Sequence, residues 1–323
     1  MINSLTVRTP EDVLALIPMT LGFAPQESLI LLSLRGPDSF HARITLPDLS
    51  VPNSGPPTEF VQALVGPVLQ HGLIEVILVA ITSRPGAGES CVLAVGRALE
   101  SHGVLVRDSL LADGQHWWPL SVDHGRGSAR RYDLSDHPFH AAAVLRGKVI
   151  HASREEMEQT LSPDPQRMEV VDAKLASRVD SIQNTAQVAL EHWSLALVAE
   201  CTARRRVPTP EEVARLLLAL RDLRIRDAAL VRLTRADARD QVDFWRHVAT
   251  SAPPEVRAAP AALTGFAAWL NGDGALAWAA VKVAEQAESG YSLAVLLTDA
   301  LEHAINPSVW DDLRTQGLPA QPA

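Results

Sequence analysis

The run from Thr9 to Leu34 constrains the fold more than any other stretch of this chain. Thr9 is a capping residue type, Pro10 suits the first helical position, and Glu11 and Asp12 place negative charge in the first turn, where the helix dipole favours it. The apolar spacing carries a helix to about Met19. Gly22 and Pro25 then mark a tight turn, and Ser28–Leu34 is an apolar run of strand length. A capped helix feeding a buried strand requires helix packed on sheet, so the chain is expected to begin with an α/β layer structure.

The following residues continue the alternation. Phe40–Leu46 is a second β-rich run, joined to the first through Arg35-Gly36-Pro37-Asp38 and read with it as a hairpin. Pro52 to Pro57 reads as a turn-rich linker. Thr58 opens a helix ending near His71-Gly72, and Glu75–Thr82 is a continuous apolar strand of the fully buried kind. Ser90–His102 reads as a helix closed by Gly103. Val104–Ala112 and Gln115–Val122 flank Asp113-Gly114, a two-residue hairpin signal. Helices, strands and hairpins in this order make one mixed sheet with helices on it. Residues 123–140 are polar and irregular. Ser153-Arg-Glu-Glu156 has the spacing of a capping box, and Ser162-Pro-Asp-Pro165 ends that helix.

Beyond this point every pattern is helical. Glu169 to about Arg204 lacks Gly and Pro and predicts a single helix about 50 Å long at 1.5 Å per residue. Thr209-Pro-Glu-Glu212 opens another helix in the manner of Thr9. Further helices are expected near 224–233, 236–250, 255–271, 274–288, 291–304 and 307–316, with short connections that make neighbours antiparallel. Small residues on facing positions make Leu270–Ala284 a helical hairpin. No clean 34-residue period supports a repeat array. The expected organisation is an α/β domain over 1–162 with a mixed sheet, followed over 163–323 by an all-α domain, a bundle or a short helical superhelix.

Composition narrows the function classes. The formal net charge is -9, against the excess of Lys and Arg that phosphate backbones demand, so no nucleic acid is expected as partner. No apolar stretch is long and clean enough to span a bilayer, and no membrane partner is expected. Glu11 and Asp12 interrupt the first apolar run, which excludes a signal-peptide reading. The two cysteines, Cys91 and Cys201, are far apart in apolar surroundings and read as small buried hydrophobes in a reducing cytoplasm.

Three blocks carry a resemblance. The first is Pro10-Glu-Asp-Val-Leu with Leu21-Gly-Phe-Ala-Pro-Gln-Glu-Ser-Leu-Ile, continued by Ala42-Arg43-Ile-Thr-Leu-Pro47. The second is His137-Pro-Phe-His-Ala-Ala-Ala-Val with Gly147 and Ser153-Arg-Glu-Glu. The third is Ala268-Trp-Leu-Asn-Gly-Asp-Gly-Ala-Leu-Ala with Tyr291-Ser-Leu-Ala-Val-Leu-Leu. In order and wording they resemble the largely actinobacterial family catalogued as domain of unknown function 4192. The resemblance implies no activity. It does imply a Cys-rich loop ahead of the His137 block, and the chain departs from it there: Ser121 to Asp136 contains no cysteine.

Candidate sites follow from residue chemistry. Five of the 11 histidines lie between 116 and 151, with Asp123, Asp133 and Asp136 interleaved. Imidazole and carboxylate are ligands of zinc and similar divalent transition metals, which makes His124, Asp133, His137 and His140 a candidate set. The bland alternative is a solvated loop, since no His-Glu-x-x-His motif is present. Ser83-Arg-Pro-Gly-Ala-Gly-Glu-Ser90 follows the best strand. There the backbone about Gly86 and Gly88, with Arg84, has the place of a phosphate cradle, although the Lys-Ser/Thr of a nucleotide loop is missing and Glu89 is repulsive. Arg43, in mid-strand, reads as an anion ligand, as the partner of Glu11, Asp12 or Asp48, or as a solvent-facing strand position. The tryptophans of the helical half are core or line a groove; Trp269, Trp278 and Leu296 mark the candidate partner face. No catalytic constellation stands out.

The reading that best joins these features is a soluble intracellular interaction or regulatory protein with a helical groove for a protein partner or for self-association. The alternative is an enzyme, or a small-ligand or metal-binding protein, with its site on loops 83–90 and 116–140.

Overall fold

The computed structural model describes residues 6–35, 41–49, 55–121, 123–145, 148–183 and 186–315. Its contacts divide into two compact units, 1–154 and 155–323. The first is α/β and the second helical, as the change of pattern along the chain predicts.

In the first unit, helix α1 (Pro10–Leu21) is closed at its start by a reciprocal capping box: Thr9 Oγ1 accepts the Asp12 N–H, and the Asp12 carboxylate accepts the Thr9 N–H. Gly22, at φ 78°, ends it and donates its N–H to the Pro18 carbonyl. Strands β1 (Ser28–Arg35) and β2 (His41–Thr45) pair antiparallel, as the hairpin reading requires, with Ser28 opposite Thr45. The expected turn at Gly36–Asp38 lies outside the described residues, as does most of the expected linker at 52–57. Helix α2 (Thr58–Gln70), β3 (Glu75–Ile81), α3 (Pro85–Ser101), β4 (Leu105–Ala112) and β5 (His116–Ser121) follow, with short strands β6 (Gly125–Arg126) and β7 (Arg130–Arg131) and helix α4 (Pro138–Leu145).

The sheet runs β2-β1-β3-β4-β5-β6, with β7 also on β5. Only β3 and β4 are parallel neighbours among these pairs, joined by α3. Both faces are covered, which explains why β1 and β3 read as unbroken apolar runs. Leu29 and Leu31 point with Val76, Leu78 and Leu111 toward α2 and α3. Ile30 and Leu32 point with Ile77, Val79, Leu110 and Trp117 toward Val13, Leu14 and Ile17 of α1. The outer side of α1 holds Phe139 and Ala143 of α4 against Ala15 and Met19.

Three expectations need correction. Helix α3 begins at Pro85, not Ser90, because Pro85 takes the first helical position and Gly88 fits where no side chain would. A Cβ on Gly88 would lie 2.7 Å from Thr82 Cγ2 and 2.8 Å from Leu111 Cδ1. The β4–β5 turn is centred on Gly114-Gln115, one residue later than expected. Asp113 donates its N–H to the His116 carbonyl, and Gly114 adopts φ 95°. The long helix expected over 169–204 is two, α6 (Pro165–Gln183) and α7 (Gln187–Arg204). Asn184 and Thr185, weak helix formers, stand between them and outside the described residues.

After α5 (Arg154–Gln159) and these two helices, the second unit continues with α8 (Pro210–Ala219), α9 (Leu223–Val231), α10 (Ala238–Ser251), α11 (Ala258–Leu270), α12 (Gly274–Ala287), α13 (Ser292–Glu302) and α14 (Ser308–Thr315). Thr209 and Glu212 repeat the capping box of Thr9 and Asp12. Every residue of α11 is buried. A helix apolar on all sides must be surrounded, and α10, α12 and α13 pack around it. Gly265 allows the closest approach: a Cβ there would sit 2.9 Å from Leu297 Cδ2 and 3.3 Å from the Ala277 carbonyl oxygen. The small residues of the expected helical hairpin therefore serve helix contact, and the unit is a bundle built round α11.

Candidate functional site

The antiparallel order of β1 and β3 gathers chemistry at one end of the strands. The end of β3 lies beside the start of β1, with Ile81 opposite Ser28. Glu27, the residue before β1, is held at φ 43°. For a side chain other than Gly that region is uncommon and costs energy, so something must hold it there. Its carboxylate is that anchor. One oxygen accepts from Ser83 N–H at 2.8 Å and Ser83 Oγ at 2.7 Å. The other accepts from Thr82 Oγ1 at 2.7 Å and Arg84 Nε at 3.1 Å. Burial alone would raise the pKa of Glu27; these donors overrule it and hold the group at about 2. Arg84 reaches on to Asp48 at 3.0 Å, tying in the segment after β2.

The predicted ligand residues fall around this centre with different roles. Arg84 is part of it. Gly86 is exposed in the first turn of α3, and Gly88 is buried against β3 and β4, so neither shapes a loop about an anion. The place a phosphate would take before α3 is filled by the Glu27 carboxylate. Arg43 lies on β2 opposite Ile30 of β1. Its Nε donates to Ser28 Oγ at 2.8 Å, and its guanidinium stands 5.8 Å from the centroid of the Phe23 ring. Phe23 is fixed in turn by a bridge to His151, with Ala24 N–H on the His151 carbonyl and His151 N–H on the Gly22 carbonyl.

The histidine region is organised about the other end of α1. His137 Nδ1 accepts the Phe139 N–H, which puts the ring proton on Nε2, and Nε2 faces Asp12 Oδ1 at 3.2 Å. Both ring nitrogens are thus engaged by the protein. His140 lies one turn on in α4. His124 is exposed, with Nδ1 3.5 Å from Ser121 Oγ, and Asp133 accepts the Ser135 N–H at 2.9 Å. Among the described residues no three His, Cys, Asp or Glu side chains converge on a common point fit for a metal ion. The Glu27 centre lies beyond the C-terminal end of α1 and His137 at its N-terminal end; twelve residues put about 18 Å of helix between them.

In the helical unit, Trp269 is core: it is buried, and its Nε1 donates to the Ile305 carbonyl at 3.1 Å. Trp278 on α12 is 37% exposed, and Val295 and Leu296 on α13 are 44% and 55% exposed. A second feature was missed at the sequence level. The end of α7, the α7–α8 connection and α10 border a half-open cavity of ≈ 190 Å³ lined by Arg205, Arg206, Arg239 and His247 among others. Arg204-Arg-Arg206 reads in sequence as solvated helix-end charge, and nothing in its spacing points to α10.

Sequence signals for Glu27 were equally slight. It is one acidic residue in a turn, and its three partners are 55 to 57 positions away. The block that contains it, however, is the one most like the family named above. A family model described as Domain of unknown function (DUF4192) matches residues 10–308. The chain belongs to this family. No curated protein and no solved structure matches the chain.

Proposed function

We propose that this DUF4192 protein works by binding another protein through its helical unit, and that a second copy of the chain is the partner. The observation that carries the reading is the exposure of Trp278, Val295 and Leu296 on the neighbouring helices α12 and α13. Tryptophan is usually well buried, and it is enriched among the residues that dominate protein interfaces. Helical spacing puts Lys282 on the Trp278 side of α12 and Asp299 on the Val295 side of α13, all exposed. Opposite charges flanking an apolar centre suit a two-fold contact, in which each patch meets its own copy.

The rival reading, an enzyme or ligand-binding protein acting through loops 83–90 and 116–140, has less support. The donors at Thr82–Arg84 are taken by Glu27, and both nitrogens of His137 are taken within the unit. Nucleic acid and membrane stay outside the proposal on the net charge of -9 and because no described helix is long and apolar enough to cross a bilayer. The compartment proposed is the cytoplasm. Its support is that Cys91 and Cys201 are free, buried and in different units, an arrangement suited to a reducing environment.

Light scattering across a concentration series tests the reading. The wild type is expected to run as a dimer, and the double variant Trp278→Ala, Leu296→Glu as a folded monomer. A wild type that stays monomeric at every concentration removes self-association, and an equally dimeric variant removes this face.

A further inference from the structure

We propose that the cavity between the α7–α8 connection and α10 binds a small organic anion, with a carboxylate or phosphate head on its donors and a short apolar body against Val207, Pro208 and Phe244. The space of ≈ 190 Å³ is far more than one water needs and less than a nucleotide cofactor fills.

The polar groups on the wall favour an anion. Arg206 is gripped from one side by Glu212, Nη1 to one oxygen at 2.7 Å and Nη2 to the other at 3.0 Å. That leaves its Nε, which is buried, makes no hydrogen bond to a described residue and stands 3.7 Å from a Glu200 carboxylate oxygen. At that separation the charge is paired but the N–H still lacks an acceptor at hydrogen-bond distance, which is costly when buried. His247 adds a second donor. Its Nδ1 lies 2.7 Å from Arg167 Nη1; a guanidinium only donates, so Nδ1 accepts and the neutral ring carries its proton on Nε2. Burial, reinforced by Arg167, lowers the His247 pKa and keeps that tautomer at neutral pH. The two aspartates of the lining do not cancel this, because Arg205 engages Asp240 at 3.1 Å and Arg246 engages Asp243 at 2.7 Å.

Backbone strain at the same place points the same way. Arg205 has φ 50° at the end of α7, where its N–H and that of Arg206 close the helix onto the Thr202 and Cys201 carbonyls. Glycine is the ordinary residue at that position of the motif. An arginine there gives the turn nothing that glycine would not, and it supplies the charge that offsets Asp240 on the cavity wall.

The test uses the full chain and two probes, inorganic phosphate and benzoate, each titrated calorimetrically against chloride at matched ionic strength. Saturable binding of at least one probe is expected, and which one binds identifies the head group. Arg205→Gly removes a cation and leaves Asp240 uncompensated beside the site, so affinity should fall on the order of tenfold, with no fall in melting temperature. His247→Leu should weaken binding similarly. The proposal is overturned if neither probe binds saturably, or if both variants bind as the wild type does. It stands independently of self-association, because the cavity residues are not those of the α12–α13 face.

Discussion

Glu27 in the α/β unit and Arg205 in the helical unit share an uncommon backbone, with φ of 43° and 50°. Their side chains are used differently. Glu27 accepts four hydrogen bonds from Thr82, Ser83 and Arg84, and through Arg84 it connects the starts and ends of three strands. The strain there is offset on the spot, and the centre is closed. Among the described residues the side chain of Arg205 makes one ion pair, to a partly exposed Asp240, at the rim of a cavity where the buried Arg206 Nε has no hydrogen-bond acceptor. The same conformational cost therefore marks a structural clamp in one unit and the rim of a cavity in the other. What separates the two is the bonding of the side chain, not the dihedral angle.

The largest effect should come from breaking the clamp. Glu27→Ala keeps the unfavourable backbone and strands the Thr82, Ser83 and Arg84 donors. The α/β unit should lose about 3 kcal/mol, the cost of leaving hydrogen-bonded charge partners unmet. Urea unfolding followed at two wavelengths, with a tag-free 155–323 fragment as reference, would assign the loss to its unit. An unshifted transition would mean the clamp is decorative. Next in size is Gly88→Ala. The new methyl meets Thr82 and Leu111 at under 3 Å, and overpacking of this kind costs about 2 kcal/mol. If the variant is as stable as wild type, the loop before α3 has more freedom than the clamp description permits.

These two residues also show what could be read in advance. The helix caps at Thr9 and Thr209, the buried strands and the helical second half were legible because their signals are local: a hydroxyl three residues before an acid, an apolar run, a Pro at the first turn. Glu27 was not, since its meaning depends on a register that brings Ser28 opposite Ile81. Gly86 and Gly88 resembled a phosphate loop because glycine serves two ends, open turns and close packing, and only the neighbours of Gly88 decide between them. The histidines misled in a related way. Nearness along the chain put His124, Asp133, His137 and His140 in one set, whereas the fold spends His137 on Asp12. The arginines at 204–206 needed α10, some forty positions on, before they had a cavity to line.

Acid sharpens the contrast at smaller size. The pKa of Glu27 is held at about 2 against an ordinary 4.5. A carboxylate whose folded pKa is depressed contributes stability above its unfolded value and loses it as pH falls toward the folded one. The α/β unit should therefore weaken between pH about 4.5 and about 2. After discounting for solvent screening of this partly exposed group, the loss should be about 1–2 kcal/mol. Glu27→Gln should flatten that part of the profile while starting from a lower plateau. A variant whose acid profile keeps the wild-type slope would place the titration elsewhere.

The smallest effect is the most telling, because its sign is opposite. Arg205→Gly exchanges a strained left-handed arginine for the residue that suits the position, and it gives up one exposed ion pair with Asp240, a contact worth little in water. Relief of the backbone should outweigh that loss, leaving the helical unit unchanged or more stable by about 0.5–1 kcal/mol. Glycine's greater freedom in the unfolded chain keeps the gain modest. The matching change at the other strained residue, Glu27→Gly, should still destabilise, since relief of φ 43° cannot replace four hydrogen bonds to one carboxylate. Opposite signs for the two glycine variants, measured by thermal unfolding in the same buffer, would establish that Arg205 is kept for something other than the fold. A marked loss of stability in Arg205→Gly would instead make the Arg205–Asp240 contact a clamp like that of Glu27, and the two regions would cease to differ.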